Sequence, residues 1–257
     1  MLSQTAYIEE VLERFDLSNT TPRRTPMDEN GQLWVQPKDT PVDEPLRKRY
    51  RQMVGCLNYL VSTTRFDIAF AVGVLGRFQS NPSEAHWQAA VRVCQYLVCT
   101  KRFELTIGGQ HESPLVELYT DADHAADKDS RRSVYGVLIN VFGSPVYWTS
   151  KQIKSVTDSS WQSEYIALAK GTSRLLSVLA LLRDLGYKPG KPPVFCDNQS
   201  AIASIKSGHL HHEKRHVDVS PHVMRSTMAT STCSGLERPG CAPTFSPKPL
   251  EGLSWKG

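Results

Sequence analysis

Three acidic residues sit where a carboxylate is costly. Asp121 follows the apolar run LVELYT. Glu164 lies in SSWQSEYIAL, three residues after Trp161 and four before Leu168, so it projects from the apolar stripe of a helix. Asp197 ends the short apolar run PVFC. A buried carboxylate is expensive unless something neutralises it, and clustered carboxylates raise one another's pKa. A divalent cation relieves both costs. Hard oxygen ligands with open positions suit Mg²⁺, and two such ions held close together can activate water and stabilise a leaving oxygen in phosphodiester hydrolysis. Each acid also has a plain structural account: Asp121 as a turn residue, Asp197 as a helix N-cap, Glu164 as a helix-edge acid. It is the combination, at two strand ends and on one helix, that points to a site.

The elements that must position them read as follows. Residues 115–120 form a strand, and residues 134–141 and 146–150 form a hairpin joined through Gly143-Ser144-Pro145. A long helix spans 160–185, with Trp161, Tyr165, Leu168, Leu175, Leu179 and Leu182 on one face and Gly186 as its C-cap. Residues 193–196 form a short strand and 198–206 a short helix. Upstream the pattern is helical. Tyr7, Ile8, Val11, Leu12 and Phe15 make one stripe of a short helix, and Pro22, Pro26, Pro37, Pro41 and Pro45 mark an extended linker over 18–45. The basic stretch LRKRYRQ opens a second helical region, and Ser83 caps a helix running through Trp87 and Leu97.

The 257 residues carry a net charge of +4, which is compatible with nucleic-acid binding without being diagnostic of it. None of the six cysteines forms a CxxC pair, and Cys56, Cys94, Cys99 and Cys196 sit in apolar segments that suit reduced, buried thiols. The N-terminus is not a signal peptide, and no apolar run approaches the ~18 residues of a membrane span. The expectation is a soluble, intracellular, non-secreted chain with no membrane partner. A zinc site built from His209, His211, His212, His216, His222, Cys233 and Cys241 fails on spacing, because the two cysteines stand seven residues apart.

The blocks YTDADHA, RRSVYGVLINVFGSPVYWTSKQ, SSWQSEYIAL, FCDNQSAI and HHEKRHVDV resemble the ribonuclease H domain of copia-type LTR retrotransposon Pol polyproteins. Upstream, LSQTAYIEEVLERF, TPRRTPM, YRQMVGCLNYLVSTTRFDIAFAVGVLGRF and HWQAAVRVCQYL resemble the segment between the reverse-transcriptase palm and ribonuclease H. The resemblance implies an α/β fold: a ribonuclease H-like mixed sheet of five strands flanked by helices. It implies a mostly helical reverse transcriptase C-terminal segment over 1–110, an incomplete ribonuclease H-like domain over 113–225 and a disordered tail over 226–257. It makes Asp121, Glu164 and Asp197 catalytic and metal-binding, with Mg²⁺ in a two-ion site. It also implies an RNA–DNA hybrid as substrate and a polymerase palm and fingers domain, if present elsewhere, as partner. The polymerase aspartates are missing from this chain. His124 stands where the family has tryptophan, Trp161 where it has threonine and Gln162 where it has glutamate.

In the family a last strand and helix follow, the helix opening with a block like Ala-Asp-Ile-Phe-Thr-Lys whose aspartate is the fourth catalytic acid. This chain has APTFSPK there. With codons that these residues permit, a shift of one nucleotide restores that block, and the same shift over Met228–Glu237 gives a turn and an alternating strand. The expectation is a frame slip near residues 219–227, loss of the last two elements, and a second ion weakly held. Asp218 is the first candidate to replace the fourth acid.

Overall fold

The computed structural model describes residues 1–28, 33–108, 115–124, 127, 129–198 and 200–203, together with the backbone of 229–232. The chain divides into two compact units, the first over Met1–Thr106 and the second beginning at Ile107. Asp218, the histidine-rich segment, Cys233, Cys241 and the APTFSPK block lie outside the described residues.

The first unit is helical. Strand β1 (Leu2–Ser3) pairs antiparallel with β2 (Glu104–Leu105). Between them run α1 (Thr5–Arg14), α2 (Glu44–Thr63), α3 (Ala69–Leu75) and α4 (Glu84–Thr100). Helix α2 starts where Asp43 accepts a hydrogen bond from the Leu46 N–H at 2.9 Å, with proline in its first turn. Helix α4 starts at Ser83, whose N–H donates to His86 Nδ1 at 2.8 Å. Ile8, Val11 and Leu12 of α1 are buried in the same core as Tyr50, Leu57, Leu75 and Leu97. The N-terminal helix is therefore an integral part of this core.

A second hub of the unit is polar. Arg65 is 2% exposed; its Nε and Nη2 donate to the two Asp67 oxygens at 2.9 and 2.7 Å, and its Nη1 donates to the Thr100 carbonyl at 3.1 Å. Tyr96 completes the set by donating to Asp67 Oδ2 at 2.9 Å. Burial of a guanidinium is tolerable here because both oxygens of its partner are engaged.

The stretch 18–45 is not a free linker. Arg23 N–H donates to the Gln95 carbonyl at 3.2 Å, and Arg92 holds Thr25 at 3.0 Å and Asp28 at 3.3 Å. Gln36 donates to Asn81 Oδ1 at 3.3 Å, and Asn81 donates to the Thr40 carbonyl at 3.2 Å. Met27 and Leu33 pack on the helical core. The described parts of the segment form a strap, tied down by Arg92 and Gln95 of α4 and by Asn81 just before it.

The second unit is built on a five-stranded sheet in the order β5-β4-β3-β6-β7. Strands β3 (Val116–Asp123), β4 (Val134–Val141) and β5 (Ser144–Gln152) form an antiparallel meander. Strand β6 (Pro193–Cys196) runs parallel to β3, and β7 (Ala229–Thr232) runs parallel to β6. The β4–β5 turn falls on Phe142-Gly143, both at positive φ (50° and 73°), one residue earlier than the sequence suggests. Helix α5 (Ser160–Asp184) lies on one face, burying Tyr165, Leu168, Leu175 and Leu179 against Val116, Leu118, Val137 and Ile139. By length and composition α5 would cross a membrane, yet half of its most apolar stretch is buried inside the fold, as suits a core helix. Gly186, at φ 88°, ends it.

Two further expectations are corrected. The final strand is present, because backbone pairing with β6 recruits Ala229–Thr232 although ATST has no apolar alternation. Cys99 is exposed, whereas Cys56, Cys94 and Cys196 are buried.

Candidate active site

The three acids come from three elements. Asp121 lies in β3, in register with Gly136 of β4, and so is a strand residue and not a turn residue. Glu164 lies in the second turn of α5 and is 4% exposed. Asp197 directly follows β6 and is exposed. It does not cap the next helix: Asn198 does, its Oδ1 accepting from the Ala201 N–H at 2.9 Å.

A glycine sets the distance between α5 and the sheet. A Cβ on Gly171 would stand 2.8 Å from Thr120 Cγ2 and 3.1 Å from Leu118 Cδ1. The close approach this permits brings Glu164, two turns earlier on the same helix, to the end of β3. There Glu164 Oε1 accepts from the Ala122 N–H at 3.1 Å, and Oε2 lies 3.7 Å from the Cys196 thiol that donates to it. Both oxygens are thus fixed, one by a strand amide next to Asp121 and one by the residue before Asp197. The ligand atoms of Glu164, Cys196 and Asp197 all fall within 4.8 Å of one another.

The electrostatics follow from this convergence. Burial first, then the Asp197 and Asp121 charges, push Glu164 up to about 8, with the Ala122 amide and Cys196 thiol partly offsetting them. Asp121 is pushed up to about 6, first by burial and then by Asp197. Burial also raises Asp123, with His124 opposing. Cys196 is pushed up to about 12 by burial and the Glu164 charge, so its thiol stays protonated and remains a donor. Mutually repelling oxygen donors on rigid elements fit a hard divalent cation.

Sequence reasoning missed the supports. Asp127, 4% exposed, accepts from the Gln152 amide at 2.7 Å, the Asp129 N–H at 3.1 Å and the Ser130 hydroxyl, which ties the loop after β3 back to β5. Buried Ser133 and Thr157 bond each other at 2.6 Å and lie 3.4 and 3.3 Å from His124 Nδ1. The available signal was the density of short polar residues in DKDSRRS, which reads only as a turn.

No protein-family model matches the chain. Among curated proteins it is 38% identical over 227 residues, 87% of its length, to the retrovirus-related Pol polyprotein from transposon TNT 1-94 of Nicotiana tabacum. It is also 34% identical over 226 residues to the corresponding polyprotein from transposon RE1 of Arabidopsis thaliana. Its close homologues are thus retrovirus-related Pol polyproteins from plant copia-type transposons, and they cover most of the chain. It spans 17% and 15% of the length of those two Pol polyproteins. Over 123 residues it is 44% identical to the secreted RxLR effector protein 161 of Plasmopara viticola, of which it covers 86%. Among solved structures, LC11-RNase H1 from compost aligns with 47% of this chain and 84% of its own, at 17% identity and a TM-score of 0.36. The second unit itself is a mixed α/β fold, a five-stranded sheet in the order β5-β4-β3-β6-β7 with α5 on its face.

Proposed function

We propose that the second unit hydrolyses the RNA strand of RNA–DNA hybrids, with Asp121, Glu164 and Asp197 holding Mg²⁺. The observation that carries this reading is the approach of the Glu164 and Asp197 ligand atoms to within 4.8 Å, with Asp121 on neighbouring β3 close enough for the Asp197 charge to raise both Asp121 and Glu164. Bound there, magnesium would supply an activated water and neutralise charge on the leaving oxygen. The chain's own part is to orient and to exclude water. The Ala122 amide and Cys196 thiol aim the two Glu164 oxygens, and the core beneath Glu164 keeps solvent from its inner side. Recognition of the hybrid would rest on helix shape and 2′-hydroxyl contacts and not on base sequence. The products would carry 5′-phosphate and 3′-hydroxyl ends. A polymerase palm and fingers domain is the partner this reading supplies, and the cell interior its setting.

One sequence feature favours a second reading, a non-enzymatic transposon remnant with weak nucleic-acid affinity. The block APTFSPK has no aspartate where the family's fourth acid stands. Fewer anionic ligands would hold a second ion poorly, so slow cleavage is expected at ordinary Mg²⁺. A labelled hybrid incubated with the full chain and Mg²⁺, beside Asp121→Asn, separates the two. Cleavage that Asp121→Asn abolishes supports the nuclease. Hybrid binding with no cleavage at any Mg²⁺ or Mn²⁺ concentration supports the remnant.

A further inference from the structure

Cys196 gives this carboxylate cluster a donor that magnesium does not use. Its Sγ is 3.7 Å from Glu164 Oε2, and the Asp197 carboxylate completes a set whose ligand atoms all lie within 4.8 Å of one another. Zinc bound at about 2.3 Å to sulfur and about 2.0–2.2 Å to oxygen spaces its tetrahedral ligands roughly 3.3–3.8 Å apart. The sulfur–oxygen pair already has that spacing. Asp197 is exposed and relieved of capping by Asn198, so its side chain can close the remaining gap. Cys196 is 1% exposed on a strand and Glu164 4% exposed on a helix, so two of the three ligands are held by packing before any ion arrives.

We infer that Glu164, Cys196 and Asp197 form a site for a thiophilic divalent cation of the Zn²⁺ and Cd²⁺ class, with solvent at the fourth position. On binding, the Cys196 S–H bond breaks, the sulfur lone pair goes to the metal and the proton leaves to buffer. Thiolate selects against Mg²⁺ and for the softer ions. Because Glu164 and Asp197 are shared, the softer ion excludes the three-carboxylate arrangement proposed for magnesium. The inference itself needs only these three side chains and goes beyond the nuclease reading.

The test is a Cd²⁺ titration of the full chain, followed through the ultraviolet sulfur-to-cadmium charge-transfer band. The expected result is one Cd²⁺ equivalent per chain that Cys196→Ser loses and Cys99→Ser keeps. Cys99 is an exposed thiol and reports the background. Equal band intensity and stoichiometry in wild type and Cys196→Ser would overturn the site. Should Cys196→Ser fail to fold, Asp197→Asn decides, because that side chain is exposed. It should keep the band but weaken Cd²⁺ binding about tenfold or more, the least that losing even an outer-shell partner costs. Unchanged affinity would overturn the site as well. Hybrid cleavage in the same samples is a separate readout: a chain that binds Cd²⁺ through Cys196 yet never cleaves hybrid sinks the nuclease reading alone.

Discussion

At the scale of single residues, Glu164 carries the largest consequence. Its carboxyl stays protonated in the metal-free fold up to about 8, against an ordinary value of 4.5. Across that interval the folded chain binds a proton that the unfolded chain has released. Stability of the metal-free protein is therefore fully present below the lower value and declines as pH rises through the upper one. Melting in EDTA should show Tm falling between about 4.5 and about 8, and Glu164→Gln should flatten most of that slope. A slope unchanged by Glu164→Gln would place its origin elsewhere. Adding Mg²⁺ should raise Tm more at the alkaline end, where the unliganded carboxylates repel most. Exposed Asp197, half-buried Asp121 and buried Glu164 were equally visible in the sequence. What was not visible was the identity of the donors to Glu164. An amide one residue past Asp121 and a thiol one residue before Asp197 meet it only because three elements converge.

Among the elements, α5 was the most legible and the strap the least. The stripe Trp161, Tyr165, Leu168, Leu175, Leu179 and Leu182 has helical period, and every member but Trp161 is fully buried. The strap looked free because prolines and polar residues carry no period. Its anchors, Arg92, Gln95 and Asn81, belong to or flank α4 and spend their polarity sideways. Trypsin should therefore cut at Arg23 and Arg24 slowly in the folded protein, and Arg92→Ala should speed those cuts several-fold, as read by mass spectrometry of timed digests. Rapid cutting at both sites in the wild type would contradict the docking. A second element-level prediction concerns the seat of α5. Gly171→Ala places a methyl 2.8 Å from Thr120. Overpacking of this kind costs about 1–3 kcal/mol, and the helix must back away from β3, taking Glu164 with it. Lower Tm with cleavage reduced more than hybrid binding is the expected pattern. Unchanged Tm would mean the sheet yields instead.

For the whole molecule, the two units have separate cores. The helical one closes on itself through the β1–β2 pair and the Arg65–Asp67 hub. A fragment over Met1–Thr106 should be helical by circular dichroism and unfold cooperatively, because its buried apolar residues and its buried ion pair are all internal to it. A fragment that melts without a transition would show that it borrows stability from the rest of the chain. Asp67→Asn should then cost that fragment roughly 3–5 kcal/mol, the usual result of stranding a buried charge.

The order of strands also bears on how the chain is made. The meander β3-β4-β5 uses neighbouring segments and can assemble as soon as it is synthesised, whereas β6 must return to the far side of β3, and β7 arrives more than thirty residues after β6. Contacts so distant in sequence form slowly. A nascent chain whose synthesis has passed Cys196 but not Thr232 carries β6 as an open edge, with its backbone groups facing whatever strand comes near. Ribosome pausing in that interval would prolong the exposure of that edge to aggregation.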